Sequence, residues 1–338
     1  MLAPSQTQGS FMCKPDRLPL PFTAVLLALT AGMPAASNAG ETLSPAVVPT
    51  SASAATAGFY KMKLGDFTVV ALSDGTFDLP GDRLLIEDKP GSVKSLMDRA
   101  RLPTPTPTTV NAYLIDTGTQ RILVDAGAGD LLGSKLGGLR ANLRAAGYRP
   151  EGIDKVLLTH LHPDHVGGIA SQGRPTFPNS TVYADARESA FWLDHSNFAK
   201  VDPSVQGAFA GASASLQPYI AIGRFKTFQS GDELVPGVTA IAASGHTAGH
   251  TAYRIESRGE TLLLWGDLLH VAAVQFRDPN VTIHYDSIPV QARAARERAF
   301  ADAAEKGYWV AAAHIPFPGI GHVRRADEGY VWEPLGGR

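Results

Sequence analysis

Short apolar runs bounded by Gly, Asp, Asn or Ser recur along the chain and alternate with longer stretches of helical composition. The pattern predicts β-strands in DFTVVALSDG (66–75), NAYLID (111–116), RILVDAG (121–127), KVLLTH (155–160), STVYAD (180–185), VTAIAASGH (238–246), TAYRIE (251–256), TLLLWGD (261–267) and YWVAAAH (308–314). It predicts helices in GSKLGGLRANLRAAG (133–147) and DSIPVQARAARERAFADAAEKG (286–307). The second is entered through Asp286 or Ser287, has Pro289 near its start and is stopped by Gly307. LPTPTPTT (102–109) reads as irregular, its prolines excluding helix. Two predicted hairpins resemble each other: AYLIDTGTQRILVD (112–125) and AYRIESRGETLLLWGD (252–267) share Ala-Tyr-x-Ile-acid, a turn, an apolar strand and a terminal Asp. Such a repeat implies two sheet-containing halves. Strands and helices in mixed order imply sheets covered by helices, an α/β (α+β) protein.

The first residues depart from this pattern. Lys14 and Arg17 precede the apolar run AVLLALTAG (24–32), and Ser37 and Ala39 are the small residues expected at a signal-peptidase site. This predicts an export leader over residues 1–39 and a periplasmic or secreted bacterial protein. Residues 40–57 are small, polar and nearly free of aromatic side chains, a composition that favours a flexible segment. The domain is then expected over 58–338. Cys13, the single cysteine, falls in the leader, so a cleaved chain has no disulfide, thiolate ligand or cysteine nucleophile. A length of 338 residues, 44% of them hydrophobic, allows a full core. A net charge of -2 without any long Lys/Arg run argues against nucleic acid as a partner, and no later run is long enough to span a bilayer.

One stretch concentrates candidate chemistry. LLTHLHPDHVGG (157–168) places His160, His162 and His165, three of the 10 histidines, around Asp164. KVLLTH reads as a buried strand and VGGIA (166–170) as the opening of a helix, so the histidine-rich piece occupies the loop between them. His160 and His162 point to one side of an extended segment. Asp164 and His165, beyond a proline that turns the chain, reach a second position beside the first, and two adjacent metal ions account for both. His246, Asp267 and His314 each interrupt or end an apolar run, where an unpaired polar group costs free energy. Together with the first motif they read as further ligands. No GxSxG or Walker motif competes.

HxHxDH, GHTAGHT (245–251), the Gly-Asp at 266–267 and a C-terminal histidine resemble the metallo-β-lactamase superfamily over about residues 58–333. The resemblance implies an αββα four-layer sandwich with two divalent ions at its edge. By it, His160, His162 and His246 hold one ion, Asp164, His165 and His314 the other, and Asp267 bridges them. Ligation without sulfur suits Zn²⁺ first, with Mn²⁺, Fe²⁺ or Co²⁺ as alternatives. A hydroxide shared by the ions is the expected nucleophile. Asp164 is expected to double as proton shuttle, which makes Asp164 and Asp267 the candidate catalytic carboxylates.

Within the superfamily, YKMKLGDFTVVALSDGTFDLP (60–80), GHTAGHT, VAAVQFRDP (271–279) and AAAHIPFPGIGH (311–322) are similar to methyl parathion hydrolase and its organophosphate-hydrolysing relatives. That likeness implies cleavage of phosphotriesters, with lactone opening as the alternative and a secreted, non-catalytic metal binder as a third reading. It places Trp192 and Phe209 in the substrate pocket, together with Leu131 and Leu132, which stand where those hydrolases carry an aromatic residue. The implied partners are a small-molecule ester and a second copy of the chain in a homodimer. His250 and His322 read as supporting groups and Asp125 as a turn residue or the partner of a ligand histidine. His195, His270 and His284 receive no role.

Overall fold

In the computed structural model, which describes residues 58–336, fourteen strands assemble into two sheets of seven, each running in chain order, and short two-stranded pairs join residues 85–86 to 282–283 and 170–171 to 174–175. The first contains β1 (Phe59–Leu64), β2 (Phe67–Leu79), β3 (Thr106–Asp116), β4 (Arg121–Val124), β5 (Lys155–Leu157), β6 (Thr181–Asp185) and β7 (Phe225–Phe228). The second contains β8 (Glu233–Val235), β9 (Val238–Ala242), β10 (Thr251–Ser257), β11 (Glu260–Leu264), β12 (Trp309–Ala311), β13 (Ile320–Arg325) and β14 (Tyr330–Pro334). In the first sheet the antiparallel strands β1–β4 lead into a parallel run, β4 beside β5, β5 beside β6 and β6 beside β7, whereas the second sheet has one parallel pairing, β11 beside β12. The α-helices of seven residues or more are α1 (Ser92–Arg99), α2 (Leu139–Ala145), α3 (Ala186–Trp192), α4 (Gly207–Ala221) and α5 (Pro289–Lys306).

Side-chain alternation sorts the core into layers. Val69 and Ala71 of β2, Tyr113 and Ile115 of β3 and Ile122 and Val124 of β4 share one cluster with Tyr253, Ile255, Leu262 and Leu264 of the second sheet. Their chain neighbours Val70, Leu72, Leu114 and Leu123 turn the other way, towards Leu143 of α2 and Leu216 of α4. Strands covered on both faces read as continuous apolar runs, which is how these appear in the sequence. Beyond the second sheet, Ala252, Val310 and Val323 pack with Ala295, Phe300 and Ala303 of α5. The architecture is the expected αββα sandwich. Leu114 and Ile115 are wholly buried, and truncating either to Ala would cost about 2–5 kcal/mol.

Between Ser73 and Gly75 the β2–β3 register slips, leaving Asp74 as the extra residue of a bulge. Its buried carboxylate accepts hydrogen bonds from the N–H groups of Ala128 (2.9 Å), Gly137 (3.0 Å) and Leu139 (3.1 Å). These bonds fix the loop of residues 126–138 and satisfy the start of α2, whose own N-cap, Gly138, has no side chain to offer.

Several elements differ from the sequence expectation. Residues 106–109, read as irregular, begin β3 and pair with residues 76–79 of β2, because the fixed φ of proline excludes helix but fits an extended strand. VGGIA opens no long helix: Pro163–Val166 makes one α-turn and Gly167–Ile169 a 3₁₀ turn. Gly167 and Gly168 press against backbone there, a Cβ on Gly168 falling 1.9 Å from the Ala126 oxygen. The helix expected over 133–147 is confined to α2, since the residues before it belong to the loop held by Asp74. α5 ends on Gly307 as expected, with φ 65°, yet neither Asp286 nor Ser287 caps it; Ile288 occupies the N-cap. α4 is not announced by the sequence, because its Gly, Ala and Ser residues with Pro218 carry little periodicity. The leader expected over 1–39, with Cys13, and the polar segment 40–57 lie outside the described residues. No helix among the described residues is long and apolar enough to cross a membrane.

Candidate metal centre

The C-terminal ends of the parallel pairs converge. Asp125 follows β4 with φ 60°, His160 and His162 follow β5, Asp267 follows β11, and His314 follows β12. His246 comes from the loop between β9 and β10, and Asp164 and His165 from the α-turn at 163–166. Gly266, with φ 55°, makes the turn into Asp267, and a Cβ on it would lie 2.7 Å from His250 Nε2. Only glycine fits that position.

The Asp267 carboxylate is the hub. Its Oδ2 lies 3.7 Å from His160 Nε2, 3.3 Å from His246 Nε2 and 3.2 Å from the Nε2 atoms of both His270 and His314. Its Oδ1 lies 3.1 Å from His165 Nε2. Asp164 Oδ2 stands 3.6 Å from His165 Nε2 and 3.5 Å from His314 Nε2, and His162 Nδ1 is 3.1 Å from His246 Nε2. All seven candidate ligands are therefore brought together, and His270 joins them.

An outer layer fixes ring orientation. The Thr159 hydroxyl donates to Asp125 (2.8 Å), so its oxygen is left to accept from His160 Nδ1 at 3.0 Å. Asp125 also accepts from His165 Nδ1 at 2.9 Å, the histidine-partner role. Asp286, missing from its cap position, accepts from His246 Nδ1 at 2.9 Å and has Arg296 Nη2 at 3.6 Å. The Thr109 carbonyl accepts from His314 Nδ1 at 2.8 Å. With Nδ1 occupied as donor in each of these four rings, Nε2 presents a lone pair to the centre.

Electrostatics make the cluster costly without a cation. Burial pushes His160 and His162 well below the ordinary histidine range. Burial opposes the charge of His246 as well, but Asp267 and Asp286 outweigh it and lift this ring to about 9. Burial lowers His270 to about 4. Burial would raise Asp267, yet the rings of His165, His314 and His160 hold it well below the usual carboxylate range. His160 Nε2, His162 Nε2, His165 Nε2 and Asp267 Oδ1 are buried with no hydrogen-bond partner, an arrangement that buried polar atoms rarely keep. The donor atoms of His160, His162, His246 and Asp267 fall within 4.8 Å of one another, as do those of Asp164, His165 and His314 and those of Asp267, His270 and His314. Nitrogen and oxygen donors so grouped fit divalent metal ions.

Above the cluster opens a cavity of 720 Å³. Phe77, Leu131, Leu132, Leu136 and Val205 wall it, with Tyr285, while Asp164, Asp267, His270 and His314 form its base. Leu131 and Leu132 are on this wall. Trp192 and Phe209 do not line it: they are 1% and 3% exposed, with ring centroids 4.7 Å apart, in the core between α3 and α4. The large rings are drawn inward by burial, which leaves Gly207, Ala208 and Gly211 of α4 to face the cavity.

The other histidines divide. His250 lies beneath the site, Nδ1 donating to the Ala243 carbonyl (3.0 Å) and Nε2 accepting from Asp267 N–H (3.0 Å), and burial lowers it to about 3. His322 is remote, its ring tilted 34° against that of Trp309 with centroids 3.9 Å apart. Sequence reasoning gave His270 no role, although its place three residues after Asp267 was a signal that could have found it.

The family model described as Metallo-beta-lactamase superfamily matches residues 105–314. A crystal structure of hydrolase AbOPH, in the beta lactamase superfamily, is 39% identical, covers 82% of this chain and 97% of its own and superposes with a TM-score of 0.78. AidC, a dizinc quorum-quenching lactonase solved with the product N-hexanoyl-L-homoserine, is 25% identical over 82% of this chain and 97% of its own, with a TM-score of 0.74. The uncharacterized protein YobT of Bacillus subtilis (strain 168) is 26% identical over 154 residues, 46% of this chain and 60% of YobT. The chain thus spans less than two thirds of the length of such curated relatives.

Proposed function

The chain belongs to the metallo-β-lactamase superfamily and is a hydrolase of that family, and from this premise we propose that it opens uncharged esters, lactones above all. The carrying observation is the cavity's composition. No Lys or Arg stands among its described lining residues, and its walls are apolar, so an anionic substrate would find no side-chain counter-charge there. Acidic and imidazole groups occupy only its base.

In this reading His160, His162 and His246 would hold one divalent ion and Asp164, His165 and His314 a second, with Asp267 within reach of both. When bound, the ions supply Lewis acidity and lower the pKa of a water towards neutrality. The chain's own residues do the rest. Asp125, Asp286 and the Thr109 carbonyl keep the imidazoles aimed through their Nδ1 atoms. Leu131, Leu132 and Leu136 hold the apolar part of the substrate and exclude water. As water adds to the carbonyl carbon and the ring C–O bond breaks, the Asp164 carboxylate, at the cavity base, takes up the proton the attacking water gives up and passes it to the ring oxygen, which becomes the hydroxyl of the opened product. AidC, a lactonase of similar fold, supports this choice. Export through the leader at 1–39 would put the activity outside the cytoplasm.

Cleavage of organophosphate triesters is the second reading, favoured by the likeness of residues 60–80 and 311–322 to methyl parathion hydrolase and by the same uncharged cavity. Such a leaving group departs without a proton. The test is kcat/KM for acyl-homoserine and simple lactones, methyl parathion and an anionic β-lactam, on protein loaded with Zn²⁺, Mn²⁺ or Co²⁺. Lactones should lead by at least about tenfold, roughly 1.4 kcal/mol of transition-state preference. Faster release of nitrophenolate would move the assignment to triesters, and a preference for the anionic substrate would sink both readings.

A further inference from the structure

Helix α3 opens with Asp185-Ala-Arg-Glu188, the spacing of a capping box, in which the glutamate reaches back to the N-cap amide. Asp185 does cap, accepting from Arg187 N–H at 2.8 Å. Glu188 is engaged elsewhere. Its carboxylate is 1% exposed; Oε1 accepts the Leu161 N–H at 3.0 Å and Oε2 the Gly249 N–H at 2.8 Å. Leu161 lies between His160 and His162, and Gly249 lies in the loop that begins with His246. Gly249 permits the approach, since a Cβ there would fall 2.5 Å from Glu188 N. One turn further along α3, Trp192 sets its ring 5.2 Å from that of His162.

A buried carboxylate is costly unless it is hydrogen-bonded, and here its two oxygens are served by two different loops. Drawing either loop away would strand the other half of the group. We propose that Glu188 is a positioning residue that ties the His160/His162 loop to the His246 loop and so holds these three imidazoles in register before any ion arrives. The proposal rests on the reading that these three form one ion position. The braces of the other position do not pass through Glu188: Asp125, which also holds Thr159 beside His160, serves His165, and the Thr109 carbonyl serves His314. Loss of Glu188 should therefore weaken one ion selectively.

The test is Glu188→Gln in the full chain, stripped with chelator and titrated with Co²⁺, following absorbance and bound-metal stoichiometry, with His162→Ala and His165→Ala marking the two positions. Glutamine keeps the size but places an NH₂ donor against one of the two N–H groups. The position lost in His162→Ala should weaken by about 10–100-fold while the other changes by less than about threefold. If Glu188→Gln does not fold, Glu188→Asp keeps the charge but not the reach and should give the same selectivity. Thermal unfolding of the metal-free forms checks folding independently. Two ions bound as tightly as in the wild type, or both weakened equally, would overturn the proposal. A wild-type protein that takes up no cobalt would overturn the metal reading along with it.

Discussion

Tyr113 and Tyr253 hold matching places in the two halves of the molecule. Tyr113 faces Val124 across the β3–β4 hairpin, and Val124 faces Leu157 of β5; Tyr253 faces Leu264 across β10–β11, and Leu264 faces Ala311 of β12. Three residues past Leu157 stands His160, and three past Ala311 stands His314. Each tyrosine hydroxyl crosses to the other half, Tyr113 donating to the Ala312 carbonyl at 2.9 Å and Tyr253 to the Leu158 carbonyl at 2.6 Å. The halves part at their aspartates. Asp125 follows Val124 directly and supports Thr159 and His165, whereas Asp267 comes three residues after Leu264 and puts its carboxylate at the hub. Strand register delivers the histidines symmetrically, and the length of chain beyond the strand decides whether an aspartate braces or binds.

The sharpest way to break this comparison is to mutate both aspartates. Asp267→Asn should lower kcat/KM on the order of 10³-fold and reduce the ion count measured by atomic emission, because every candidate ligand set but one includes it. Asp125→Asn should cost about 10–100-fold in ion affinity and recover most of its kcat at saturating metal. Equal effects in activity and stoichiometry would erase the distinction between brace and hub. Next in size are Tyr113→Phe and Tyr253→Phe, each removing the hydroxyl that crosses between the halves, although the Ala312 carbonyl keeps a 3.3 Å bond from Asn111 Nδ2. Urea unfolding should register about 1–3 kcal/mol for Tyr253→Phe and the lower end of that range for Tyr113→Phe, and a larger loss for Tyr113→Phe would overturn this order. Smallest is Leu132→Ala, on the cavity wall and 48% exposed. It should raise KM a few-fold, about 1 kcal/mol of lost apolar contact, with kcat unchanged.

Much of this was legible in the sequence. The hairpin pair shows the two halves because its apolar runs and terminal acids survive as a pattern, and HxHxDH shows the centre because four polar residues in six have no structural use on a buried loop. What stayed hidden depends on contacts far apart in sequence. Asp286 and Glu188 look like helix-start residues, and each is taken instead by a histidine loop. Asp74 reads as one more turn acid until the bulge aims it at residues 128–139. His270 hides behind two leucines in the run that follows Asp267, and α4 behind its small residues. Trp192 and Phe209 were assigned to the cavity by likeness, but ring size and burial put them behind its wall.

The crossed tyrosine hydroxyls also govern traffic. A clam-shell opening between the two sheets would have to break both crossings at once, deep in an apolar layer, which makes the rim the less costly route for a ligand. There the border is made by residues 126–138 and α4, with Leu131 and Leu132 already 40% and 48% in solvent. The expected consequence is that a cross-link across the rim slows product release, while one between the two sheets leaves it unchanged.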